Sequence, residues 1–173
     1  MSILKVNTIQ DKGGNAIISS DGAGTLTLPS DLKNTPSFLV IKTTAQSIGS
    51  GVYTTIQFDN EIYDTDNCFS TSTYRFTPTV AGKYWVYGQM RSNSSSDFTS
   101  WQPFIYKNGS KLIGTNNSHW HFESVHFGVV VDFNGSTDYV EVRGYQDSGT
   151  DQALGTSSSE YLNNFGAYKL IGA

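Results

Sequence analysis

The run Tyr74–Met90 constrains the fold more than any other part of the chain. It reads Tyr-Arg-Phe-Thr-Pro-Thr-Val-Ala-Gly-Lys-Tyr-Trp-Val-Tyr-Gly-Gln-Met. Successive side chains of a β-strand point to opposite faces. As a strand, the run puts Tyr84, Val86 and Gly88 on one face and Trp85, Tyr87 and Gln89 on the other. Pro78 and Gly82 bracket a break, because proline has no N–H to give a ladder and glycine tolerates turn backbone. The run therefore predicts two strands around a tight turn, and no stretch of comparable strength has helical period.

The same grammar continues on both sides. Phe38–Thr43 reads as a mostly buried strand and Val52–Phe58 as a second, with Ile56 and Phe58 sharing a face. Glu61–Ser72 reads as a polar connection with one apolar island at Cys68-Phe69. Phe98–Lys107 is a strand closed by Asn108-Gly109, the strongest hairpin signal in the chain, and Lys111–Ile113 returns. His119–Phe133 reads as a long strand, Asn134–Ser136 as a turn, and Asp138–Gln146 and Phe165–Ile171 as the last strands. Strands this short and numerous, without a helix, make an all-β antiparallel sandwich or jelly roll the natural architecture.

Residues 1–30 differ. Leu4, Val6, Ile9, Ile17, Leu26 and Leu28 lie in short alternating pieces separated by Gly-rich turns. Three such strands carry too little apolar surface for a core of their own. The segment must cover itself with copies, a partner or the main domain. The organisation expected is thus a β arm over 1–30, a linker over 31–37 and a main domain over 38–173.

Composition removes several function classes. Only 15% of residues are charged and the formal net charge is -4. Nucleic-acid binding needs clustered Lys and Arg, and no such run exists. No basic cluster or long apolar stretch suggests a membrane partner, and the first residues do not resemble a signal peptide. The single cysteine, Cys68, allows no disulfide within one chain and reads as a small buried hydrophobe.

Residues 38–173 resemble the globular head of the complement component one, subcomponent q superfamily, whose jelly roll is shared with the tumour necrosis factor ligands. The resemblance rests on Tyr74-Arg75-Phe76-Thr77-Pro78 with Gly82-Lys83-Tyr84-Trp85-Val86, and on Lys107-Asn108-Gly109. It continues through Val129–Val131 with Gly135, Asp138, Val140 and Val142, and ends at Phe165-Gly166-Ala167-Tyr168. Gly135-Ser136-Thr137-Asp138 departs from the family by two inserted residues, and no collagen-like stalk precedes the domain. The resemblance implies a bell-shaped homotrimer with aromatic side chains around its axis. Trp85, Tyr87, Trp101, Tyr106 and Trp120 are the candidates for that interface. The start, Ile3-Leu4-Lys5-Val6-Asn7-Thr8-Ile9-Gln10-Asp11, resembles that of structural proteins of marine and cyanobacterial tailed phages. This second resemblance implies a virion location, other virion proteins as partners of the arm, and a tail-fibre or capsid-decoration role. A host-surface glycan or receptor is the further partner expected, contacted by the loops Ser92–Asp97, Gly114–Ser118 and Asp147–Glu160.

Catalytic chemistry is not visible. There is no nucleophile elbow, phosphate-cradling loop or zinc-hydrolase pattern, and the chain reads as a non-enzyme with no cofactor. The weak metal candidates are His119 and His121, two apart on one strand face, and Asp64 and Asp66, which offer calcium too few carboxylates for a tight loop.

Overall fold

The computed structural model describes residues 6–29, 32–92, 100–114, 124–154 and 162–172. Strands β1 (Thr8–Gln10), β2 (Ala16–Ser20) and β3 (Leu26–Thr27) form a small antiparallel sheet of their own. The main domain begins at β4 (Ser37–Ile41) and continues through β5 (Ser47–Ile48), β6 (Thr54–Thr55), β7 (Asn60–Asp64), β8 (Phe69–Ser70) and β9 (Arg75–Phe76). The longer strands follow: β10 (Gly82–Arg91), β11 (Trp101–Lys107), β12 (Ser110–Gly114), β13 (Ser124–Phe133) and β14 (Val140–Gln146). The described chain closes with β15 (Gln152–Ala153) and β16 (Asn164–Lys169). No α-helix occurs among the described residues.

Two sheets make the sandwich. The five-stranded sheet has the order β13-β10-β16-β4-β7, and the six-stranded sheet runs β12-β11-β14-β9-β8 with β6 alongside β14. Neighbours in the five-stranded sheet are non-consecutive and antiparallel, the hallmark of a jelly roll rather than a meander. The fold class is the all-β jelly roll that the alternation predicts.

The core lies between the inner faces. Phe38 stacks on Phe76, with ring centroids 4.4 Å apart, and on Phe69 at 5.3 Å. Phe165 meets Phe38 edge-on at 5.0 Å, so aromatic rings from both sheets interlock. Tyr84 is buried among them and donates its hydroxyl to the Val80 carbonyl at 2.8 Å. That bond ties the Pro78–Gly82 break to the strand it introduces.

The hairpin signal is realised. Asn108 (φ 50°) and Gly109 (φ 78°) both sit in the left-handed region, as a two-residue turn demands. The turn is latched to the Asn134–Asp138 loop. Asn108 donates its side-chain amide to Asp138 at 2.8 Å and accepts from the Tyr139 N–H at 2.9 Å. Lys107 pairs with Asp138 at 3.0 Å. The two inserted residues are absorbed by Asn134, whose Oδ1 accepts the N–H groups of Ser136, Thr137 and Asp138, each at 3.0 Å.

Two sequence readings are corrected. Glu61–Ser72 is not a plain connection: it holds most of edge strand β7 and strand β8. The β7 segment shows no apolar alternation because its residues lie at the sheet edge and most are exposed. Val52–Phe58 contributes only Thr54–Thr55 to a ladder, although Ile56 and Phe58 are both buried as predicted. The long strand is described from Ser124 onward, and its expected start at His119 lies outside the described residues.

A polar clamp closes one end of β4. Lys42 is only 2% exposed, and its ammonium meets Asp59 at 2.7 Å. Asp59 also accepts the N–H groups of Thr43 at 2.7 Å and Thr44 at 3.0 Å, and both threonine hydroxyls. Burial alone would raise the Asp59 carboxyl, but the Lys42 and threonine hydrogen bonds outweigh it and hold it well below its ordinary value of 3.8. A folded-state value below the unfolded one means stability that is fully present above about pH 4 and drains away as pH falls further. Asp59→Ala leaves the Lys42 charge buried and unanswered, and is expected to cost about 3 kcal/mol in denaturant unfolding at pH 7. Asp59→Asn is expected to flatten the acid limb of stability against pH relative to wild type.

Candidate functional site

The outer face of the five-stranded sheet is the first candidate surface. β10 pairs with β13 along its whole length and with β16 on its other side. In that register Trp85 lies opposite both Val130 and Tyr168, and Tyr87 opposite Gly128 and Gly166. All point away from the core, since Tyr84, Val86 and Ala167 point into it. The result is an exposed apolar stripe: Trp85 is 36% exposed, Tyr168 36% and Val130 47%. Tyr63 extends it on the edge strand.

Glycines let the aromatic rings lie down on the sheet. A Cβ at Gly166 would fall 2.7 Å from the Tyr87 hydroxyl and 2.8 Å from the Phe38 carbonyl oxygen. A Cβ at Gly128 would fall 2.5 Å from the Trp85 indole. Tyr87 is flanked further by Tyr168, 6.2 Å between ring centroids, and by the Tyr63 phenol. Burial, with the nearby Tyr63 phenol, pushes the Tyr87 hydroxyl up to about 12. The stripe is aromatic, with polar tips at its tyrosines, and the exposed Lys83–Asp132 pair borders it, which is the chemistry of a protein–protein surface.

The other interface candidates divide. Trp101 belongs to the core of the single chain, 2% exposed. Tyr106 is 8% exposed and lies on the opposite sheet, paired through β11 to β14. Neither can reach a partner docked on the Trp85 face. Trp120 lies outside the described residues.

Of the metal candidates, Asp64 and Asp66 are described. His119 and His121 lie outside the described residues. Asp64 accepts the Phe69 N–H at 2.6 Å and the Asp66 N–H at 3.3 Å, while Asp66 accepts the Thr65 hydroxyl at 2.7 Å. These carboxylates hold their own turn. Among the described residues no three His, Cys, Asp or Glu side chains converge. Cys68 is buried, and burial pushes its thiol up, away from the reactive thiolate.

The arm presents apolar side chains outward. Val6, Ile9, Ile17 and Leu26 are all exposed, and Leu26 reaches 62%. Ile9 pairs with Ile18 across β1 and β2, and together with Val6 and Leu26 they line one shallow apolar depression. Leu28 lines another beside Ile17 and Pro29. Leu4 lies outside the described residues.

A second surface was not visible in the sequence. On the outer face of the six-stranded sheet, Glu141 is 2% exposed and is gripped by two arginines. Arg75 donates Nε to Oε2 at 2.9 Å, and Arg143 donates Nε at 2.8 Å and Nη2 at 2.5 Å to Oε1. Glu141 and Arg143 lie two apart on one face of β14, and the pairing of β9 with β14 brings Arg75 to them from 66 residues away.

No protein-family model and no curated protein matches the chain. Solved structures do. The globular domain of zebrafish complement 1qA is 14% identical, with a TM-score of 0.58 over 78% of this chain and 96% of that one. Murine APRIL is 13% identical, with a TM-score of 0.60 over 78% of this chain and 98% of that one. Eiger, a tumour necrosis factor from S. frugiperda, is 13% identical, with a TM-score of 0.57 over 79% and 93%. The main domain thus has the jelly-roll fold of the complement 1q and tumour necrosis factor heads.

Proposed function

We propose that the protein is a non-enzymatic structural component of a tailed-phage virion: a homotrimeric appendage, fibre- or spike-like, that attaches through its N-terminal arm and contacts the host surface. The observation that carries this reading is the arm. It orders into a three-stranded sheet yet keeps Val6, Ile9, Ile17 and Leu26 exposed. Apolar side chains displayed on a sheet too small for its own core call for a partner surface. The exposed Trp85–Tyr168–Val130 stripe supports self-association of the head, by the same logic.

The division of labour follows. The head would assemble through its aromatic face, and the arms would anchor the assembly on the particle. A capsid decoration protein would use the same two surfaces and make no host contact.

Deleting residues 1–30 tests the attachment role. The truncated protein is expected to remain folded by circular dichroism and to be absent from purified particles assembled in its presence. Particles that still incorporate it would rule out the arm as the anchor.

A further inference from the structure

The outer face of the six-stranded sheet gathers cationic and aromatic side chains. Val140 and Val142 point into the core, so Glu141, Arg143 and Tyr145 point out. Trp101 and Ile105 likewise leave Phe104 and Tyr106 on the outer face of β11. Arg143 lies over the Tyr106 ring at 4.2 Å, and Arg75 over the Tyr139 ring at 4.0 Å. Lys111, opposite Tyr106 on β12, sits over the Phe104 ring at 3.9 Å. Three cations thus face one carboxylate in this layer, an excess of two positive charges on a chain whose formal net charge is -4.

We propose that this face, built on the Arg75–Glu141–Arg143 cluster and the Tyr53 ring beside it, binds an acidic saccharide. Glu141 is saturated by its two arginines, so it fixes them without cancelling both charges. Each guanidinium is held between that carboxylate and a tyrosine ring, and little side-chain freedom remains to be lost on binding. The Arg75 side chain is still 40% exposed and can pair with an incoming carboxylate or sulfate.

Tyr53 argues for a sugar rather than a bare anion. Its ring is propped by Phe104, edge-on at 5.2 Å, and by Tyr145 at 4.9 Å, yet Tyr53 remains 45% exposed. A supported aromatic face beside hydrogen-bond donors suits the C–H face and hydroxyl rim of a pyranose. The surface is a flat sheet face rather than a concave pocket, which suits one edge of a long polysaccharide better than a small enclosed ligand. The proposal deepens the host-contact reading by naming a ligand class, and it does not depend on the trimer, because Trp85 lies on the other sheet.

The test is calorimetric titration of the full chain with oligogalacturonate and with a heparin oligosaccharide. Neutral dextran and polyglutamate serve as controls. Binding of at least one acidic sugar is expected, weakening as salt is raised, with no binding of dextran. Tyr53→Ala and Arg75→Gln are each expected to lower the affinity about tenfold, while the circular dichroism spectrum and particle incorporation stay unchanged. Failure of both acidic sugars to bind overturns the proposal. So does polyglutamate binding as tightly as the sugars with Tyr53→Ala causing no loss, which would reduce the face to a charge effect. Either failure leaves the arm-deletion result untouched, so the two readings are judged separately.

Discussion

The two-sided pairing of β10 is the constraint on which the rest of the structure depends. From Gly82 to Arg91 it is hydrogen-bonded to β13 on one side, and for most of that length to β16 on the other. A strand pinned on both edges cannot slip by one residue without exchanging its faces. That register puts Tyr84, Val86 and Met90 in the core and leaves Trp85 and Tyr87 outside. The same act therefore creates the buried core and the exposed aromatic stripe. Gly128 and Gly166 complete it by letting Trp85 and Tyr87 lie close against the sheet.

The two sheets then present unlike chemistry. The five-stranded sheet offers an exposed aromatic stripe of Trp85, Tyr168 and Val130. The six-stranded sheet offers fixed guanidinium groups around a saturated carboxylate. An aromatic stripe whose bordering charges, Lys83 and Asp132, are paired with each other suits contact with another copy of itself, where unpaired charge would be costly. A cationic face suits an anionic ligand and would resist self-association by like-charge repulsion. The proposed roles follow this contrast, with the arm's exposed apolar residues supplying a third and separate surface.

Much of this was legible because it is local. Alternation in Lys83–Arg91 assigned both faces of β10, and Asn108-Gly109 fixed a hairpin, since each depends on neighbours in sequence. Edge strand β7 was missed for the opposite reason: at the rim of a sheet its residues are mostly exposed, so no apolar period marks it. Trp101 was grouped with the interface candidates because composition alone cannot say which aromatic side chain faces in. Glu141 and Arg143, two apart on β14, share a face by alternation, but the approach of Arg75 and of the Tyr53 ring was invisible, because they reach β14 only through the pairings of β9 and β6. The Arg75–Glu141 salt bridge joins strands far apart in the chain and leaves no spacing to read.

Self-association through the Trp85 face is the most direct physical claim. Sedimentation equilibrium of the full chain beside Trp85→Glu measures it, since a charge at that position would be buried without a partner in any assembly using the face. Wild type is expected at the mass of three chains and the variant, equally folded, at the mass of one. A wild-type protein with the mass of one chain, or a variant that remains trimeric, would contradict assembly through this face.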